Sequence, residues 1–179
     1  PNMGIAVGLQ SQICSFNLAE VCDGTIALLK NPKTTTDKLL DIIKAPDFST
    51  GGELIYDREQ LKKIYETGDG SFKVRSKYTY DAKNSLIEIT EIPYSTSIDV
   101  ILKRITDLLK DGKLREISDI RDEIDLSGFK LTIDVKKGTD PDALMVKLFR
   151  TTTLEDSFPC NFNVLIDGTP MQLGVRGIL

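Results

Sequence analysis

The stretch from Lys73 to Lys77 carries a cation at every second position, namely Lys73, Arg75 and Lys77. In a β-strand, alternate side chains point to the same face, so these cations would form a row with a spacing of about 7 Å. That spacing is close to the distance between adjacent phosphates of one nucleic-acid strand, so the row could follow a phosphate backbone. An exposed strand that resists edge-to-edge aggregation has the same pattern, and this alternative stays open.

A second candidate contact is Ile13, which stands beside Cys14 in a short polar stretch that is predicted to be a loop. A helix is predicted to begin directly after this loop, with Asn17 as its N-cap. DNA-bending proteins place isoleucine and other apolar side chains between base steps, and free N–H groups at a helix start attract phosphate. The alternative is that Ile13 is a core residue, as isolated isoleucines usually are.

The sequence contains no convincing active site. It has no histidine, which removes the commonest general base, the Ser-His-Asp triad and most zinc sites. Neither a phosphate-binding P-loop nor a dinucleotide-binding glycine motif occurs. The acidic run Asp119–Asp125 lacks the spacing of a calcium loop and is interpreted as a solvated strand. The three cysteines, Cys14, Cys22 and Cys160, lack metal-site spacing and are predicted to be small buried residues.

The composition bounds the class of protein. The chain has 179 residues, 40% of them apolar and 28% charged, as is typical of a globular protein, and this length suffices for one substantial core with or without an appendage. Because the formal net charge is −4, a site for a polyanion must be a local basic patch. No apolar run approaches the roughly 20 residues that span a bilayer, and the cysteine usage favours a reduced, cytoplasmic protein without a membrane partner. The start Pro1-Asn2-Met3 indicates a piece of a longer polypeptide.

Hydrophobic periodicity predicts an α+β fold with a mixed, largely antiparallel sheet and packed helices. Helices are predicted at residues 18–29, 36–44, 57–65, 97–111 and 140–150. Strands are predicted at residues 4–9, 53–56, 71–81, 85–92, 117–124, 129–137, 161–168 and 170–174. Residues 4–9 are predicted to be a buried strand or a tight crossing, and 71–81 is predicted to form a hairpin with 85–92.

Several long motifs resemble one protein family. GIAVGLQSQICSFNLAEV at residues 4–21 resembles GIAVG…NIP…NL…EV in the A subunit of bacterial type IIA topoisomerases, DNA gyrase and topoisomerase IV. APDFSTGG, YETGDGSFKVRSK and ITEIPY are similar to the family's GPDFPTGG, YETGRGSIKVRAK and EIPYQ. The likeness continues through ISDIRDEIDLSGFKLTIDVKK and LEDSFPCNFNVLIDGTP, so it covers essentially the whole chain.

The resemblance implies that residues 1–16 are a lead-in from a winged-helix region with a DNA-contacting loop, and that residues 17–179 form the tower domain. It implies part of an ATP-dependent, chromosome-associated enzyme that passes one duplex through a cut in another. The family's catalytic tyrosine lies upstream, and none of the five tyrosines here falls in its motif, so the fragment alone is expected to be non-catalytic. ATP and magnesium are expected on the B subunit. The expected partners are duplex DNA, the B subunit, and another copy of the A subunit.

The resemblance also implies roles for four residues. Ile13 takes the position of the family's intercalating isoleucine, with Cys14 in place of the proline that follows it. Lys73, Arg75 and Lys77 match a basic strand that lies along the bent gate DNA in the family. A stand-alone interaction module that docks protein partners without DNA is the alternative. The choice between gyrase and topoisomerase IV stays open.

Overall fold

The computed structural model describes residues 1–6, 8–123 and 128–179. Its helices are α1 (Leu18–Lys30), α2 (Thr36–Ile42), α3 (Arg58–Thr67), α4 (Ile98–Lys110), α5 (Pro141–Thr151) and the short α6 (Val175–Ile178). All five predicted helices are present with shifted ends, whereas α6 was not predicted. No helix in the described ranges is long and apolar enough to cross a bilayer.

The strands of the described residues form three sheets. They are β1 (Asn2–Ala6), β2 (Leu9–Ile13), β3 (Glu53–Leu54), β4 (Asp69–Arg75), β5 (Lys77–Asp81), β6 (Leu86–Glu91), β7 (Ile117–Asp122), β8 (Leu131–Val135), β9 (Glu155–Asn161), β10 (Asn163–Ile166) and β11 (Thr169–Gln172). The strand orders are β1-β2-β9-β4-β3, β5-β6-β8-β7 and β10-β11. The β1–β2, β5–β6, β6–β8, β7–β8 and β10–β11 pairs are antiparallel, so the predicted fold class is confirmed.

Side-chain caps start three helices at residues that the sequence singled out. Asn17 accepts hydrogen bonds from two backbone N–H groups of α1, and Asp57 and Asp140 do the same for α3 and α5. Each cap satisfies N–H groups that have no partner inside the helix. Gly68 ends α3 with a φ of 73°, a left-handed conformation that glycine adopts without strain. The caps therefore fix where α1, α3 and α5 begin.

The chain divides into two compact units. Unit 1 comprises residues 1–49, 55–72 and 158–179, and unit 2 comprises residues 50–54 and 73–157. The core of unit 1 is aromatic: the rings of Phe48, Phe72 and Phe158 have centroids 5.0 to 6.0 Å apart. Buried Tyr65 donates a hydrogen bond to the Ile43 carbonyl (3.0 Å). The predicted division of the chain after residue 16 stays a prediction.

Unit 2 has an aliphatic core between its four-stranded sheet and the apolar sides of α4 and α5. The fully buried members include Ile87, Ile89, Ile101, Ile105, Leu131, Ile133, Met145 and Leu148. The members from α4 recur at helical spacing, and those from β6 and β8 alternate along their strands, as the periodicity predicted. This core supports the turns and strand ends at which the basic residues of unit 2 lie.

The predicted buried strand at residues 4–9 is wrong. β1 and β2 form an antiparallel hairpin in which Asn2 pairs with Ile13, and Val7 lies outside the described residues. Ile5 is 89% exposed and Met3 is 58% exposed. An apolar run predicts a strand, but its sequence does not say which element covers it.

The predicted single strand at residues 71–81 is also wrong. β4 ends at Arg75 and β5 begins at Lys77, and the two strands belong to different sheets. Between them, buried Ser76 donates its backbone N–H to the Leu154 carbonyl (2.7 Å). The hairpin itself is confirmed for β5 and β6. Alternation in a sequence does not reveal a change of partner strand, because both strands keep the same period.

The burial of the cysteines is confirmed for Cys14 and Cys160 but is wrong for Cys22, which is exposed on α1. The same helix exposes Leu18 and Leu29. Asp125 and the predicted end of its strand at residue 124 fall within residues 124–127, outside the described residues.

Candidate nucleic-acid interface

Ile13 is the last residue of β2 rather than part of a loop. It pairs with Asn2 of β1 and is half-buried. Two residues earlier, Ser11 donates a hydrogen bond from its hydroxyl to the Asn163 carbonyl (2.8 Å), and Asn163 donates through its amide to the Gln10 carbonyl (2.7 Å). The strand that carries Ile13 is therefore fixed by β1 and by Asn163.

The segment directly after Ile13 is anchored to unit 1. Cys14 is 3% exposed; burial, followed by a hydrogen bond with the Cys160 thiol, raises the pKa of the Cys14 thiol. Ser15 accepts the backbone N–H of Asp47 (2.8 Å). Phe16 packs edge-on against Tyr65, with ring centroids 5.7 Å apart. These contacts fix the backbone at Cys14, and the protonated thiol is unreactive.

Arg75 is the most constrained of the three cations. Its Nε and Nη2 atoms donate to Oε2 of Glu155 at 2.8 and 2.6 Å, and its guanidinium carbon lies 4.7 Å from the centroid of the Phe149 ring. The Glu155 side chain is 16% exposed, against 40% for Arg75. Because the carboxylate is largely withdrawn from water, this pair contributes to the fold of unit 2.

Lys73 and Lys77 are held more loosely. The Lys73 Nζ atom lies 3.7 Å from Glu155 Oε1, and the Lys77 Nζ atom lies 3.7 Å from Glu91 Oε1. The two lysine side chains are 60% and 55% exposed. Exposed ion pairs at this distance contribute little free energy, so both ammonium groups can exchange a carboxylate for a phosphate at small cost.

We call Lys73, Arg75 and Lys77 the basic strand segment. The break at Ser76 places Lys73 and Arg75 on β4 and Lys77 on β5 instead of all three on one strand, and each member has a carboxylate partner. An approaching polyanion would therefore compete with Glu155 and Glu91. The two lysines can supply charge, and Arg75 holds Glu155, the carboxylate beside Lys73.

Tyr78 follows the basic strand segment and has a strongly perturbed hydroxyl. It donates to the Asp142 carboxylate (2.7 Å) in the first turn of α5. Burial, together with this hydrogen bond, raises the pKa of Tyr78 to about 12. The hydroxyl is therefore neutral at physiological pH, and it acts as a donor that fixes the start of α5.

Sequence reasoning missed the carboxylates that neutralise the basic strand segment. Glu155 lies 80 positions from Arg75, and only the pairing of β9 with β4 brings them together. It also passed over Lys136 and Lys137, a visible lysine pair in the turn before α5. That doublet, shortly before the helix that Asp140 caps, was the available signal of a basic turn.

Comparison with known proteins identifies the family. The family model that describes the A subunit of DNA gyrase/topoisomerase IV matches residues 2–179. Together with the α+β fold, this match shows that the chain belongs to the family of DNA gyrase/topoisomerase IV A subunits.

The similar relatives are A subunits of DNA gyrase. The chain is 39% identical to the DNA gyrase A subunit of Mycoplasma genitalium over 178 residues, which cover 98% of the chain and 21% of that protein. It is 38% identical to the probable chloroplastic/mitochondrial DNA gyrase A subunit of Oryza sativa, covering 98% of the chain and 19% of the relative. The DNA gyrase A subunit of Borrelia hermsii is 38% identical, with 98% and 22% covered. The chain spans about a fifth of the length of the curated relatives it matches.

Proposed function

We propose that this chain is the DNA-binding and DNA-bending part of the A subunit of an ATP-dependent type IIA DNA topoisomerase. The observation that carries the proposal is the basic strand segment, which presents two loosely paired lysines in a chain of this family. The duplex is bound through its phosphates, with Lys73 and Lys77 exchanging their carboxylate partners for the backbone. Arg75 contributes by holding Glu155 in place and by its own charge.

Ile13 is the proposed wedge. Its half-buried position at the end of β2, next to a segment anchored by Cys14 and Phe16, supports this role because a wedge must be held rigidly to unstack bases. Unstacking a base step costs a few kcal/mol, which a mobile side chain would not offset. In this proposal the Cys14 anchor supplies the stiffness that proline supplies elsewhere in the family.

The catalytic groups belong to other parts of the proposed holoenzyme. A second copy of the A subunit completes the dimer, the B subunit holds ATP and magnesium, and the nucleophilic tyrosine lies elsewhere in the same polypeptide as this chain. The chain supplies no nucleophile of its own in this proposal. The complex works in the cytoplasm on the chromosome.

A second candidate function is a module that docks protein partners. An apolar cleft of about 300 Å³ favours it, because Ile5 and Leu9 of one hairpin and Leu165 and Pro170 of another line this cleft in unit 1. Exposed apolar clefts are common at protein interfaces. The first function requires the basic strand segment for binding, and the second requires the apolar cleft.

The binding test uses the full-length polypeptide that contains this chain, together with its B subunit. Lys73→Gln/Lys77→Gln should reduce the log–log salt slope of duplex binding by about 2, since each phosphate contact contributes about 1 unit. Lys83→Gln/Lys103→Gln removes the same charge from exposed positions elsewhere in unit 2 and should leave the slope unchanged. An unchanged slope in the first variant, with binding of the B subunit lost on substituting Ile5 and Leu165 of the apolar cleft, would favour the docking module.

The wedge test compares two isoleucines of one hairpin. Ile13→Ala should reduce DNA bending, measured by energy transfer between dyes on the duplex ends, and should reduce ATP-dependent strand passage. Ile5→Ala, at an 89% exposed position, should leave both unchanged. Normal bending by the Ile13 variant, accompanied by a stability loss of about 2 kcal/mol or more, would make Ile13 a core residue.

A further inference from the structure

A second basic site lies in unit 2, away from the residues of the basic strand segment. A cleft of about 680 Å³ lies between the turn that precedes β7 and the turn that joins β8 to α5. Four cations and two carboxylates line it: Arg115, Lys136, Lys137, Lys147, Glu116 and Asp140. We call it the basic cleft, and its net positive charge contrasts with the net charge of −4 of the whole chain.

Both carboxylates of the basic cleft already have partners. Glu116 accepts a hydrogen bond from the Lys147 ammonium (3.0 Å), and backbone and lysine donors lower its pKa, so it is ionised at neutral pH. Asp140 caps α5 and accepts from the backbone N–H groups of Asp142 and Ala143 (3.0 and 3.3 Å). Asp140 is thus taken up by the helix start, whereas Glu116 pairs with Lys147 and its charge also acts on Lys136, so the two carboxylates offset only part of the positive charge of the four cations.

Lys136 and Lys137 are the two lysines of the basic cleft for which the described residues provide no ion pair. Both are exposed, and no ion pair joins either one to a carboxylate among residues 1–6, 8–123 and 128–179. They sit in a turn closed by a hydrogen bond from Thr139 N–H to the Lys136 carbonyl (3.1 Å). A ligand anion therefore meets two ammonium groups that no described carboxylate holds at ion-pair distance, although the charge of Glu116 acts on Lys136.

The backbone at this turn is open to a large anion. Gly138 has a φ of +85°, and a Cβ atom built on it would meet nothing within 4 Å. The adjoining α5 has 11 residues, and the positive end of its dipole points to the cleft. The volume of the cleft, about 680 Å³, is larger than one phosphate group requires. A polymer could therefore place successive phosphates against Lys136 and Lys137.

We propose that the basic cleft binds the phosphodiester backbone of duplex DNA, as a contact separate from the basic strand segment. The proposal rests on the proposed function of the chain as a DNA-binding part of a topoisomerase. Lys136 and Lys137 contact phosphates directly, and Arg115 adds charge at the cleft while its Nε atom donates to the Gly112 carbonyl (3.3 Å). Lysine ammonium groups bind phosphate as point charges, so the contact is independent of base sequence.

The test measures duplex binding at several salt concentrations, with the full-length polypeptide in complex with its B subunit. Lys136→Gln/Lys137→Gln should reduce the salt slope by about 2, one unit for each lysine. The matched control is again Lys83→Gln/Lys103→Gln, which should not change it. Combining Lys136→Gln/Lys137→Gln with Lys73→Gln/Lys77→Gln should reduce the slope by about 4 if the two sites bind separately.

Each contrary outcome has its own meaning. If the wild type does not bind duplex DNA, the proposed function fails and this inference fails with it. If the wild type binds and Lys136→Gln/Lys137→Gln keeps the original slope, only this inference is overturned. It is also overturned if inorganic phosphate or polyglutamate raises the melting temperature of the wild type but not of the variant while the DNA slopes stay equal. The cleft would then be a small-anion site or a site for acidic protein segments.

Discussion

The basic strand segment and the basic cleft have similar side chains in different surroundings. Arg75 is engaged by Glu155 and lies over Phe149, whereas Lys136 and Lys137 are exposed and form no ion pair with any described carboxylate. A paired cation such as Arg75 contributes to the stability of the fold, whereas an unpaired, exposed lysine contributes to the local electrostatic potential. Counting basic residues in the sequence does not distinguish these settings.

Helix α5 connects the two regions. Asp140 and Lys147 place its first turns at the basic cleft, and Phe149, near its last turn, lies under Arg75. The helix dipole favours anions at its start and cations at its end. One helix therefore supports a site with free positive charge at its N-terminus and a paired arginine near its C-terminus, and the following predictions test this contrast.

The largest effect is expected for Arg75→Ala. It leaves Glu155, 16% exposed, without its nearest partner and removes the contact with Phe149, so unfolding should require about 2 kcal/mol less. Arg75→Lys should recover only part of this loss, because a lysine neither donates twice to one oxygen nor stacks flat on a ring. Urea denaturation followed by circular dichroism measures both variants. A loss below about 0.5 kcal/mol would show that Arg75 is as dispensable as an exposed lysine.

The second-largest effect is expected for Glu155→Gln, which removes the carboxylate that Lys73 and Arg75 share instead of removing a cation. Because Lys73 already exchanges its partner in the proposed complex, Arg75 is the cation newly released, so the salt slope of duplex binding by the full-length polypeptide should steepen by about 1 and affinity at moderate salt should rise several-fold. Asp99→Asn, which changes an exposed carboxylate at the start of α4, is the control and should have no such effect. An unaltered slope in Glu155→Gln would mean that these cations act only in the fold.

Tyr78→Phe tests how firmly the cleft end of α5 is held. Losing the hydrogen bond to Asp142 (2.7 Å) should cost about 1 kcal/mol at neutral pH. Because the pKa of Tyr78 is raised to about 12 in the fold, its contribution is complete below about pH 10 and is lost as the pH rises toward 12. The variant should therefore lose less stability than the wild type across this window. Urea midpoints at several alkaline pH values measure the difference, and parallel profiles would contradict it.

The smallest effect is expected for Lys136→Ala/Lys137→Ala. Since neither ammonium is ion-paired within the described part of the chain, the free energy of unfolding should change by less than about 0.5 kcal/mol. Thermal melts of this variant beside those of Arg75→Ala compare the two regions directly. A loss as large as that of Arg75→Ala would mean that the lysines have a structural role, and the contrast between the regions would disappear.

Local features were predictable because they depend on residues close in sequence. The caps at Asn17, Asp57 and Asp140 and the apolar stripe of α4 follow from side-chain chemistry and helical period. The break at Ser76 was not predictable, since the alternation of residues 72–80 continues unchanged while the partner strand changes from β9 to β6. That change is decided by tertiary packing, which leaves no mark on the local pattern.

The candidate site was predictable only in part, for the same reason. The positions of Lys73, Arg75 and Lys77 follow from the period of a strand, but the carboxylate that engages Arg75 comes from 80 positions away. The surroundings of Ile13 also depend on distant residues, since Asn163 and Cys160 fix the strand and the segment next to it. Sequence spacing predicted which cations could bind phosphate, whereas long-range contacts determine which of these cations a carboxylate already engages.

The division of the chain also has a consequence for how it folds. Residues 73–157 of unit 2 are continuous, whereas unit 1 is assembled from segments on both sides of them. Joining residues 72 and 158 across an unfolded insert of this length costs about 4 kcal/mol in loop-closure entropy. If unit 2 folds first, it brings its own ends together and removes most of that cost. We therefore expect refolding in two kinetic phases, with protection of β6 and β8 from hydrogen exchange preceding that of β9 near Cys160.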